Sequence, residues 1–261
     1  MSDPQPTPPY MCIGMVLDRL RDADALDAVC RKLVELGAGY SGRVWLGPSD
    51  PGPFSWVTDL PLLAATLPSS RPDMRPYRVW MEVGGLGHLW VGFGHGDRRG
   101  GHSVEVMLSA GPYGDPEESW DDEDREEAPR YLHELGKLFR RLCIDLDPIY
   151  AAVDDVNPTV TPSELLEGAL SLPSDFYVSR RLGPVLDEVV SLFPASLTSA
   201  APTGSFVTHW LRVGGYTKSS PEALRSASVA VGRGVEGIGW AERRAEDTFR
   251  HDQRAGRAGR Q

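Results

Sequence analysis

The chain has 261 residues, 41% of them hydrophobic and 25% charged, enough to bury a core without disulfides or metals. Its formal net charge is −10, which argues against non-specific binding to nucleic acid or to an anionic membrane, since both need a dense basic surface. No apolar run reaches the roughly 18 residues of a membrane span, and the polar, proline-rich residues 1–9 lack the basic and apolar regions of a secretory signal. Cytosol is therefore the expected compartment.

Cys12, Cys30 and Cys143 all lie in apolar stretches and show no metal-type spacing, so they read as buried small hydrophobes in a reducing setting. Basic charge is nearly all arginine, with lysine only at Lys32, Lys137 and Lys218. Together with abundant Gly, Ala and Pro, this suggests a GC-rich bacterial genome.

Met11 to Leu17 reads as a buried strand. Asp22 or Asp24 can cap the helix that follows, in which Leu26, Val29, Cys30, Leu33 and Leu36 recur at helical spacing before Gly37. Prolines between residues 39 and 76 deny long helices and central strands there. Within that stretch Arg43–Leu46 predicts a strand and Leu60–Leu67 a short helix, and Trp45, Phe54 and Trp56 need somewhere to pack. Three strands follow at Arg78–Val83, His88–Gly94 and His102–Ser109, each with one apolar face of period two, joined by glycine-rich turns. An antiparallel meander is the natural reading.

Asp115 to Glu127 hold nine acids against one base, Arg125, so this short segment supplies most of the net charge. Ala128, Leu132, Leu135, Phe139 and Leu142 then form one helical stripe, and Ile149–Val153 a strand. Thr161-Pro162-Ser163-Glu164 is a complete capping box. Phe176–Ser179 predicts a strand, Pro184 opens a helix, Ser205–Val213 has strand composition, and Ser220 starts a last helical region interrupted by glycines.

The expected fold is α+β. Residues 1–155 should form an antiparallel sheet with helices on one face, a ferredoxin-like (split βαβ) layout with an added strand. Residues 156–250 should form a smaller mixed α/β lobe, with or without its own core, and 251–261 a tail.

Three constellations are candidates for function. His95 and His102 bracket a glycine-rich turn beside Asp97, and two imidazoles with a carboxylate can ligate a metal or perform acid–base chemistry. Solvated, turn-flanking histidines would look the same. Asp145/Asp147 and Asp154/Asp155 are carboxylate pairs at element ends, where solvated boundary residues are usual. The glycine clusters join strand to strand, so the helix N-terminus of a phosphate site is missing, and no cofactor is expected. The third constellation is the acidic run, Trp120 with Asp121, Asp122, Glu123 and Asp124, joined by the Trp45/Trp56 loop as a second contact candidate. Carboxylates around an indole suit electrostatic capture of a basic protein.

In layout the chain is similar to bacterial immunity proteins that neutralise toxins. That similarity implies a non-enzymatic protein-binding role, as immunity protein or adaptor, without nucleic acid or membrane. The alternative is a metal- or histidine-dependent enzyme at His95, Asp97 and His102.

Overall fold

The computed structural model describes residues 10–18, 22–46, 54–56, 77–97, 101–110, 121–155, 159–209, 211 and 220–240. The fold is α+β, as its alternation of periods requires. Its strands are β1 (Tyr10–Val16), β2 (Gly39–Leu46), β3 (Phe54–Trp56), β4 (Tyr77–Val83), β5 (Gly87–Gly96), β6 (His102–Ser109), β7 (Tyr150–Asp155), β8 (Asp175–Ser179), β9 (Thr198–Ala200) and β10 (Gly204–Val207). Its helices are α1 (Asp22–Glu35), α2 (Asp122–Leu146), α3 (Pro162–Glu167), α4 (Pro184–Ser191) and α5 (Pro221–Gly237).

All ten strands join one sheet in the order β3-β2-β4-β5-β6-β1-β7-β8-β10-β9, and every pairing is antiparallel. Strand β1 lies between β6 and β7, so α2 links two strands that sandwich the first. The sheet continues past that unit in both directions, and strands from both parts of the chain contribute to it.

Period two decides which residues face which way. Met11, Ile13 and Met15 of β1 share a core with Val79, Leu89, Val91, Val104, Val106, Ala151 and Val153. The stripes of α1 (Leu26, Val29, Leu33) and α2 (Leu132, Leu135, Phe139, Leu142) close this first face. Each such aliphatic side chain removed from water contributes about 1.5–3 kcal/mol, which is what fixes the register of the meander. Gly37 ends α1 at φ +95°, and Ala38 N–H returns 2.9 Å to Leu33 O; only glycine takes that backbone without strain.

Among the described residues the second face has its own core over β7, β8, β10 and the end of β1. There Tyr150, Ala152, Phe176, Val178 and Val207 meet Leu165 of α3, Leu186 and Val189 of α4, and Val231 and Val235 of α5. Thr161 and Glu164 form the expected reciprocal cap, and Gly168 closes α3 in the left-handed region. Trp240, only 2% exposed, donates its indole N–H to Leu17 O at 3.3 Å.

Two expectations are corrected in this region. The glycine-interrupted last helix is continuous from Pro221 to Gly237. A Cβ on Gly232 would stand 2.5 Å from Leu166 N and 2.7 Å from its Cα, so the glycine permits α5 to lie against the backbone of α3, at about 1 kcal/mol of helix propensity. The strand expected over 205–213 stops at Val207. Buried Asp175 accepts the N–H groups of His209 at 2.8 Å and Leu211 at 3.4 Å, which draws the chain away from the ladder. The short helix expected at Leu60–Leu67 lies outside the described residues.

Candidate functional site

The histidine turn is the first candidate. Asp97, 7% exposed, accepts Ser163 N–H at 2.7 Å and Ser163 Oγ–H at 2.8 Å. Its carboxylate thus satisfies free donors at the start of α3. His102, also buried, turns the other way. Its backbone N–H reaches Asp22 at 3.2 Å, and its Nδ1 pairs with the same carboxylate, at the start of α1. Asp97 and His102 are therefore each engaged with a different helix, and both bonds fasten the β5–β6 turn. His95 lies in β5, and its side chain is outside the described residues. Among the described residues no three His, Cys, Asp or Glu side chains cluster as metal ligands do.

The carboxylate pair Asp145/Asp147 is similarly engaged. Asp145 bridges Lys32 at 3.6 Å and Arg141 at 3.5 Å. Asp147, at φ +45°, accepts Ser179 Oγ–H at 2.8 Å and Tyr177 Oη–H at 3.2 Å, and meets Arg181 at 3.1 Å. Three donors on one side chain hold a backbone conformation that costs about 1 kcal/mol or more. Burial pushes the thiols of Cys12, Cys30 and Cys143 up, so they stay protonated near neutrality.

The acidic run enters α2. Asp121, Asp122, Glu123, Glu126 and Glu127 are all exposed, and the i,i+3 pairs Arg125–Asp122 at 3.3 Å and Arg130–Glu127 at 3.6 Å offset only part of their charge. Trp120, and the side chain of Asp124, lie outside the described residues.

The remaining candidate emerges from sheet register. Trp45 is opposite Arg78 across β2 and β4, and opposite Phe54 across β2 and β3, where Arg43 is paired with Trp56. Trp80 stands directly across from Trp90, and Trp90 from Met107. Facing residues on neighbouring strands share a side of the sheet. Positions 43, 45, 54, 56, 78, 80, 90 and 107 therefore all belong to the second face, beyond the half that α3, α4 and α5 cover. There the Arg78 guanidinium lies 4.6 Å from the centroid of the Trp90 ring, a cation–π contact. Gly92 is the residue opposite Arg78. Arg78, Trp80, Trp90 and Met107 are each partly exposed.

Trp80, Trp90 and Arg78 were not singled out from sequence, although the signal was there. Once Val79, Met81 and Val83 are assigned to the core, alternation sends Arg78 and Trp80 to the opposite side.

No protein-family model matches the chain, and no curated protein matches its sequence. Among solved structures it is similar to one described as a Pseudomonas aeruginosa T6SS protein, at 13% identity and a TM-score of 0.42, over 87% of this chain and 72% of that one. A likeness of that degree assigns neither fold nor function. No helix among the described residues is long and apolar enough to cross a membrane.

Proposed function

We propose that the chain is a non-enzymatic protein-binding protein, of the toxin-neutralising (immunity-like) or adaptor kind, docking its partner on the aromatic half of the second face. The supporting observation is convergence. Four of the seven tryptophans, Trp45, Trp56, Trp80 and Trp90, fall at positions on one side of one half-sheet beside Arg43 and Arg78. Tryptophan and arginine dominate binding energy at protein interfaces, because rigid rings and a planar guanidinium bury much area for little lost rotamer freedom. A sheet holds them in fixed spacing before any partner arrives, so little ordering is left for binding to oppose.

The carboxylates Asp121, Asp122, Glu123 and Asp124 at the start of α2 supply a second element. They act at range, raising the encounter rate with a basic partner over a screening length of about 8–10 Å. The histidine-dependent alternative has no comparable support, since Asp97 and His102 are each engaged with separate helix starts.

The test is capture of the partner from the producing cell, followed by binding measurements with purified components. Trp80→Ala/Trp90→Ala should lose the partner while keeping the wild-type circular dichroism. A double variant that binds as tightly as wild type removes the proposal.

A further inference from the structure

Glu105 and Ser103 present a problem of charge that the described fold leaves open. Val104 and Val106 belong to the first-face core, so Ser103 and Glu105 must point to the second face. Glu105 is 7% exposed and Ser103 4%. The Glu105 carboxylate receives one hydrogen bond, from Thr159 N–H at 2.9 Å, and no ion pair among the described residues. Ser103 Oγ is buried with no hydrogen-bond partner among the described residues. The two side chains are aimed at one place, because a Cβ on Gly94 would collide with both Ser103 Oγ and Glu105 Oε1. Gly92 on β5 and Gly14 on β1 are the two residues opposite Glu105, and the Thr159 side chain lies over Gly14.

A carboxylate taken out of water and given one neutral donor is far from compensated; buried charges are paired or bind cations. A hydroxyl oxygen with nothing to bond beside it supplies a second hard ligand. We propose that Ser103 Oγ and the Glu105 carboxylate, meeting over Gly94, form a binding site for one alkali cation, Na+ or K+. One carboxylate balances one positive charge. A divalent ion would be left with excess charge on that one carboxylate. Oxygen ligands suit a hard cation, and the neutral thiol of Cys12 nearby plays no part. The site lies on the border between the two halves of the second face and adjoins the aromatic surface, with Gly92 between Glu105 and Arg78.

The experiment is thermal unfolding of the full chain in chloride salts of choline, sodium, potassium and magnesium at matched ionic strength. Sodium or potassium should raise Tm saturably, by about 3 °C at ten times its Kd, and choline should not. Glu105→Gln should melt at one temperature in all four salts. In choline it should melt above wild type, because the amide keeps an acceptor for Thr159 N–H and removes the bare charge. Ser103→Ala should shift the salt titration midpoint severalfold upward. Equal Tm for wild type in sodium, potassium and choline overturns the site, as does a larger response to magnesium or an alkali response that survives in Glu105→Gln. If Glu105→Gln does not fold, sodium-NMR line broadening of the wild type decides: broadening displaced by potassium supports the site, and its absence refutes it.

Discussion

The two halves of the second face are made from the same sheet, yet they use different chemistry. Over β7, β8 and β10 the outward positions are Tyr150, Ala152, Phe176, Val178 and Val207, closed by three helices into a dry core. Over β4, β5 and β6 the equivalent positions hold Arg78, Trp80, Trp90 and Met107, all partly exposed. Aliphatic side chains on a face call for a permanent cover, since they offer water nothing. Indoles and a guanidinium offer both apolar area and hydrogen-bonding edges, which is the composition of a surface that is wet part of the time. The contrast teaches that the first half carries stability, while the second is the half to which the proposed function assigns contact.

The strongest way to break that contrast is to attack the helical half. Gly232→Val would drive a branched side chain into the backbone of Leu166. Denaturant unfolding should show a loss of about 3 kcal/mol or more, or no folding at all; a mild loss would mean that α5 is not seated as described. The contact half should respond in the opposite sense. Trp80→Ala and Trp90→Ala should each cost less than about 1.5 kcal/mol in unfolding. Together they should weaken partner binding by about 30-fold or more, mainly through faster dissociation.

Charge reversal at Asp121, Asp122, Glu123 and Asp124 sharpens the comparison further. It should slow association about tenfold at low salt and flatten its salt dependence, with dissociation little changed; stopped-flow mixing across ionic strength separates the two rates. The smallest expected effect is Thr161→Ala, which removes the cap of α3. It should cost about 1 kcal/mol of stability and leave partner affinity at its wild-type value, as measured by calorimetry.

Much of this architecture was legible in residue order, because strong local signals coincide with burial. The period-two runs at Val79/Met81/Val83 and Val104/Val106/Leu108, the stripe of α1, and the capping box at Thr161 each named their element. What escaped was decided by contacts distant in sequence. The truncation of β10 depends on Asp175, 34 positions from His209, and the glycine at 232 is explained only by the backbone of Leu166 against it. The tryptophans illustrate the same limit. Trp45 and Trp56 were visible as aromatics needing a place, but only strand pairing sets positions 45 and 78 side by side. Asp97 and His102 looked like partners because both lie at one turn, whereas each is engaged with a separate helix, by contacts 66 and 80 positions apart that no short-range pattern predicts. Ser103 and Glu105 were hidden by the apolar alternation that makes β6 obvious.

The central claim is that a partner covers the tryptophans of β4 and β5. Covalent indole labelling, read residue by residue in mass spectrometry with and without saturating partner, tests it most directly, and Trp240 in the closed half is the internal control. Protection at Trp80 and Trp90, with Trp240 unreactive throughout, is the expected pattern. Trp80 and Trp90 labelling at the same rate in free and bound protein would contradict the account.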